Sequence, residues 1–143
     1  MIGTVAAEMP ASFEIEALKA QAVCARTYAV KKIISNKSYP NGADLSDDVT
    51  TCQAFVLVSK FAPANPDRDE LLIKIEKAVK ATRGEILLFD SQPIDALYCS
   101  TCGGSTESAS AVWGSSISYL QPVKCEDCIK SPHYKQETVL SND

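Results

Sequence analysis

The chain has 143 residues, 45% of them apolar and 22% charged, with a formal net charge of −4. Those proportions are globular averages and exclude a disordered or fibrous chain, and the mild acidic excess excludes a broad electrostatic footprint for nucleic acid. No apolar run approaches the roughly 20 residues that a bilayer crossing requires, so neither a membrane segment nor a nucleic-acid partner is expected.

This length supports one domain over residues 1–143, with a core that needs no staples to form. No charged-then-apolar leader opens the chain, and Met1-Ile2-Gly3 runs straight into a structured-looking segment. The native targeting or anchoring sequence is therefore expected to lie outside this chain.

The first stretch of interest, Val5-Ala6-Ala7-Glu8-Met9-Pro10, sets one carboxylate among apolar neighbours. Folded inward, Glu8 would be desolvated and its pKa raised, as a general acid at neutral pH requires; exposed on a short first helical turn, it would have no such role. Residues 14–34, rich in Ala, Leu, Lys, Gln and Arg, form the best helix candidate, with Ser12 available as a cap. Leu18, Ala22, Ala25 and Ala29 follow helical spacing and give it a small-residue face for close packing. Lys19 and Arg26 share a second face, as do Gln21 and Tyr28, a polar and cationic stripe that either meets a ligand or is simply solvated.

Residues 36–48 accumulate turn formers around Pro40-Asn41-Gly42 and read as a surface loop. Residues 49–59, with Thr, Val, Phe and Leu in partial alternation, form a strand candidate. Asn65 can cap a second helix with Pro66 at its first position, Leu72, Ile75 and Val79 as its apolar stripe and Gly84 at its end. Residues 85–89 and 94–98 flank Asp90-Ser91-Gln92-Pro93 and read as a short antiparallel hairpin. Beyond it, residues 107–113 suggest a short helix and 119–123 an extended piece.

Two Cys-x-x-Cys pairs, Cys99 with Cys102 and Cys125 with Cys128, have the spacing by which two tight turns each offer two thiolates to one tetrahedral zinc. Disulfides within each pair are the alternative in an oxidising compartment, although such bridges are usually strained redox pairs. His133 could replace one thiolate. Gly103-Gly104 lets the backbone of this loop approach another group closely. Cys24 and Cys52 stand alone and read as buried small apolar residues.

The stretches Val5-Ala6-Ala7-Glu8-Met9-Pro10, residues 18–29 (LKAQAVCARTYA), Ala81-Thr82-Arg83-Gly84 and residues 98–107 (YCSTCGGSTE) together resemble the stage II sporulation protein D family. Val112-Trp113-Gly114, Tyr119-Leu120 and Ser131-Pro132-His133-Tyr134 extend the similarity across nearly the whole chain. The resemblance implies a lytic transglycosylase acting on peptidoglycan glycan strands stripped of their stem peptides, in the cell envelope outside the cytoplasm, alongside other cell-wall hydrolases. The same superfamily includes amidase enhancers that bind without cutting, which is the alternative function. Carried over by position, the catalytic glutamate falls on Glu8 and the helix lysine and arginine on Lys19 and Arg26. Gln21, Tyr28, Tyr98, Ser100 and Thr101 match positions near the groove. The expected fold is α+β, with the helix at 14–34 buried among short antiparallel strands, Glu8 at its N-terminal approach, and a C-terminal region stabilised by structural zinc. A third possibility, a zinc-stabilised interaction module, would neither cut nor bind glycan.

Overall fold

A first helix, Ile2–Glu8 (α1), precedes the long helix expected from composition, which spans Ile15–Ile34 (α2). The small-residue face of α2 is buried as its spacing predicts: Leu18, Ala22 and Ala25 are fully covered and Ala29 nearly so. In this computed structural model, which describes residues 1–35, 39–135 and 137–139, the chain divides into two units, Met1–Leu97 and Tyr98–Asp143.

The first unit is built on helix packing. A third helix, Arg68–Ala81 (α3), turns Ile75 and Ala78 into a cluster with Val5 of α1, Ala11, and Leu18 and Ala22 of α2. Alanines on α2 let the helices approach closely, while fully buried Leu18, Ile75 and Val5 each contribute roughly 1.5–3 kcal/mol by leaving water. Ile2, Ile15, Phe61, Leu71 and Val79 close the rim of this core.

Helix ends depart from the expected caps in instructive ways. Glu14, not Ser12, precedes α2 and makes no side-chain cap bond; instead Lys74 of α3 donates to the carbonyls of Ser12 and Phe13. Asn65 accepts the Asp67 N–H at 2.9 Å in a turn, so α3 starts at Arg68, beyond Pro66. Gly84 lies past the end of α3 with φ +83, a conformation that a Cβ disfavours.

The hairpin is present but shorter than expected and shifted: its second strand falls on Gln92–Pro93, expected in the turn, and residues 94–98 form no strand. Leu88–Phe89 (β1) pairs antiparallel with Gln92–Pro93 (β2), and Asp90 and Ser91 between them both take positive φ, as a two-residue loop that matches strand twist requires. The expected strand at 49–59 is corrected. Asp48 Oδ1 accepts from the N–H and hydroxyl of Thr50, and the Asp48 carbonyl accepts from the N–H groups of Thr51 and Cys52, so local turns take the bonds that a ladder would need. Residues 53–57 then run without helix or strand into a 3₁₀ turn at Val58–Lys60. Among the described residues, α2 is therefore packed by helices with a single two-stranded hairpin, not set among several strands. Of the loop expected at 36–48, residues 36–38 lie outside the described residues; its turn forms at Pro40–Gly42, with Asn41 and Gly42 at positive φ.

In the second unit Ser108 caps the short helix Ala109–Trp113 (α4), its hydroxyl accepting from the Ala111 N–H at 3.2 Å, and Gly114 ends it in the left-handed region. The extended piece after it lies against residues 104–109. Thr106 N–H donates to the Val123 carbonyl, Ala109 N–H to that of Leu120, and Cys125 N–H to that of Gly104. A 3₁₀ helix at Asp127–Lys130 follows.

Candidate functional site

Glu8 is the last residue of α1 and half-buried, with apolar Val5 one turn before it fully covered. Its Oε1 accepts the backbone N–H of Ala54 at 2.6 Å. The segment carrying Ala54 is itself fixed to α1, because Val56 N–H donates to the Gly3 carbonyl at 3.2 Å. Gly3 makes that approach possible: a Cβ there would stand 2.3 Å from the Val56 carbonyl oxygen and 2.7 Å from the Phe55 ring. Upstream, the Tyr28 hydroxyl of α2 donates to the Thr51 carbonyl at 3.2 Å. Glu8 and Tyr28 thus hold one loop three residues apart, a span of about 10 Å at most.

The other residues expected on α2 have varied surroundings. Lys19 makes an ion pair with Glu16 at 2.7 Å, an exposed helical pair of little energetic weight. Gln21 is 4% exposed, and its Nε2 has no hydrogen-bond partner among the described residues. Arg26 donates from Nη1 to the Glu85 carbonyl at 2.9 Å and from Nη2 to the Val79 carbonyl at 3.4 Å, tying α2 to the C-terminal end of α3. Two open hollows of about 530 and 450 Å³ run along α3, sharing Ile73 in their lining, and Glu8 lines neither.

Two features escaped the sequence reading. Thr27 is fully buried; its hydroxyl donates to the Val23 carbonyl at 2.7 Å and accepts the Leu87 N–H at 2.9 Å, fastening the hairpin approach to α2. Cys52, expected to be an apolar filler, is half-buried in a polar setting, with its sulfur 3.2 Å from the Tyr39 hydroxyl and 3.5 Å from the Ser46 nitrogen. Burial pushes its thiol up, but hydrogen bonds from Tyr39, Ser46 and Tyr28 and the charge of Lys32 outweigh it and bring the thiol below its ordinary value. Cys24, also expected to be buried, is half-buried, and burial pushes its thiol up.

In the second unit Cys102, Cys125 and Cys128 come together, their sulfurs all within 4.8 Å of one another. Cys102 N–H donates to Cys128 Sγ at 3.3 Å, and the Cys125 and Cys128 sulfurs lie 3.2 Å apart. The Cys102 amide draws the Cys128 thiol down, but bonds with the Cys125 and Cys102 side chains, burial and the Cys102 charge push it up to about 11. The Cys125 thiol is lowered, chiefly by its bond with Cys128. Three clustered thiols of this kind could hold a metal ion. Cys99 stands outside the trio and is exposed, at the start of the unit, ahead of Thr101, whose hydroxyl is held 2.7 Å from that of Ser131. Ser100, Tyr98 and His133 are also exposed, and the His133 N–H donates to the Ser131 hydroxyl.

The described residues combine helices with one two-stranded antiparallel hairpin, and the second unit carries a thiol trio that could hold a metal. The family model described as Stage II sporulation protein (SpoIID) matches residues 1–89, and the chain belongs to that family. It is 44% identical over 138 residues to Stage II sporulation protein D of Bacillus subtilis (strain 168), an alignment covering 94% of this chain and 40% of that protein. It is 43% identical to Stage II sporulation protein D of Bacillus amyloliquefaciens, over 94% of this chain and 40% of that one. To the amidase enhancer of Bacillus subtilis (strain 168) it is 37% identical over 82% of this chain and 14% of the relative. The chain thus spans 40% of the length of its stage II sporulation relatives. Among the described residues no helix is long and apolar enough to cross a membrane.

Proposed function

We propose that the chain is a lytic transglycosylase core that cleaves the bond between N-acetylmuramic acid and N-acetylglucosamine in denuded glycan strands of the cell envelope, outside the cytoplasm. The observation that carries this reading is the half-buried Glu8 at the end of α1, in the family's motif, with one oxygen fixed by the Ala54 N–H. Hydrolytic glycosidases ordinarily need two carboxylates. One suffices here: protonated Glu8 gives its proton to the glycosidic oxygen as the C1–O bond breaks, and the carboxylate then takes the proton of the C6 hydroxyl as that oxygen closes on C1. The product ends in a 1,6-anhydro ring, water is not consumed, and Glu8 regains its proton.

Lys19 serves in this reading as a point charge for glycan carbonyl or lactyl groups, since the exposed pair with Glu16 is easily given up. Arg26 contributes those guanidinium N–H groups that it does not spend on Val79 and Glu85. Gln21 and Tyr28 belong to the same helix, and Tyr98, Ser100 and Thr101 are assigned to substrate binding by their place in the motif.

Zinc is the metal we assign to the thiol trio. Soft thiolates suit it, and sulfurs within 4.8 Å of one another fit Zn–S bonds of about 2.3 Å in a tetrahedron. Cys99 or His133 would complete the set, making the role structural. The second reading, a glycan-binding amidase enhancer, is favoured by the relative of that name at 37% identity. Mass spectrometry of denuded strands incubated with wild type and with Glu8→Gln decides between them. The proposal expects anhydro-ended fragments from wild type alone; glycan binding without cleavage would establish the enhancer.

A further inference from the structure

The geometry points to residues 54–56 as the element that orients the Glu8 carboxylate, with Gly3 the positioning residue that admits it. This rests on the reading of Glu8 as the acid/base. The chain of contacts is short and closed. Val56 N–H is bonded to the Gly3 carbonyl at 3.2 Å, and two residues earlier Ala54 N–H meets Glu8 Oε1 at 2.6 Å, so the segment bridges the first and last turns of α1. Nothing larger than glycine fits beneath it, because a Cβ at position 3 would lie 2.3 Å from the Val56 oxygen, a separation that real Cβ atoms do not show. Glycine inside a seven-residue helix is locally unfavourable by about 1 kcal/mol against alanine, so its presence there calls for a tertiary reason, and this contact supplies one.

The bond also makes the two carboxylate oxygens unequal. Oε1 is tied to a backbone donor, while Oε2 has no partner among the described residues. A single proton must leave for the glycosidic oxygen and return from the C6 hydroxyl. With Oε1 held by an N–H, Oε2 is the atom that carries it, and the torsions of Glu8 are set before substrate arrives. Such preorganisation is worth a large factor in rate, since misplacement of a reacting group by 1 Å can cost about 100-fold.

Two variants of the 143-residue chain test this, each with a readout independent of the other. Ala54→Pro removes the donor without touching α1, and Gly3→Ala displaces the segment while leaving the donor. Both are expected to lower kcat about 10- to 100-fold with KM within about threefold, because orientation is lost and binding is not. Independently of activity, the Ala54 amide of wild type should exchange slowly with solvent, and faster in Glu8→Ala, which removes its acceptor. An Ala54 amide indifferent to Glu8 overturns the inference whether or not the protein is an enzyme, as does a kcat unchanged in both variants of an active wild type. Wild type without anhydro products, but with an Ala54 amide whose protection depends on Glu8, refutes the functional reading and leaves the positioning intact.

Discussion

Replacing Thr27 with valine changes one atom in the middle of the first unit and should cost more than its size suggests. The side chain is fully buried, and its hydroxyl both donates to the Val23 carbonyl at 2.7 Å and accepts the Leu87 N–H at 2.9 Å. Valine fills the same volume, so no cavity forms. The Val23 carbonyl keeps its helical partner, and losing its second bond is largely offset by no longer burying a hydroxyl. The Leu87 N–H, however, is left facing a methyl group, and an unsatisfied donor costs about 1–3 kcal/mol. We therefore expect Thr27→Val to lose about 2 kcal/mol. Thr27→Ser, which keeps both bonds and gives up one methyl, should lose about 1 kcal/mol. Urea unfolding of the three proteins measures the order, and hydrogen exchange at the Leu87 amide, faster in the valine variant alone, locates its cause. A valine variant as stable as wild type, or more stable than the serine variant, would refute the claim that the hydroxyl fastens the hairpin approach to α2.

Gln21→Met removes a buried amide whose Nε2 is unpartnered, so it should raise stability by about 1 kcal/mol while lowering turnover if the amide serves the glycan; equal or lower stability in urea would contradict this. Iodoacetamide at neutral pH should alkylate Cys52 before Cys24, because the first thiol is lowered by its polar partners and the second raised by burial; peptide mass mapping over time reads the order. Protein purified without chelator should carry about one zinc per chain, and chelation should lower thermal stability. Serine at Cys102, Cys125 or Cys128 should reduce that occupancy more than serine at Cys99, and metal-free protein lacking free thiols at these positions would establish disulfides instead.

The helical core was legible because its signal is local. Spacing alone marked Leu18, Ala22, Ala25 and Ala29 as one buried face, and a hairpin around Asp90-Ser91-Gln92-Pro93 was recognisable, although Gln92 and Pro93 belong to its second strand and not to its turn. Residues 49–59 misled because their apolar content suits a strand, whereas Asp48 draws the following N–H groups into turns. Most of the candidate site hides for a different reason. Apolar neighbours identify Glu8, but its partner is a backbone amide 46 residues away, and an amide carries no side-chain signature. Arg26 reads as part of a cationic stripe, yet its bonds to the Val79 and Glu85 carbonyls depend on where α3 ends. Gly3 in a helix looks like a weakness until Phe55 and Val56 are seen against it. The cysteine spacing pointed to a shared site; that three sulfurs gather while Cys99 stays exposed depends on the path of the chain into the loop.

Digestion of denuded glycan strands in ¹⁸O-labelled water tests the one-carboxylate mechanism most directly. If Glu8 both delivers the proton and recovers it from the C6 hydroxyl, wild-type products carry 1,6-anhydro ends free of label, and Glu8→Gln, which can do neither, yields none. Reducing ends bearing ¹⁸O would mean that water attacks C1 and that a second catalytic group acts with Glu8. Undiminished cleavage by Glu8→Gln would contradict its role altogether.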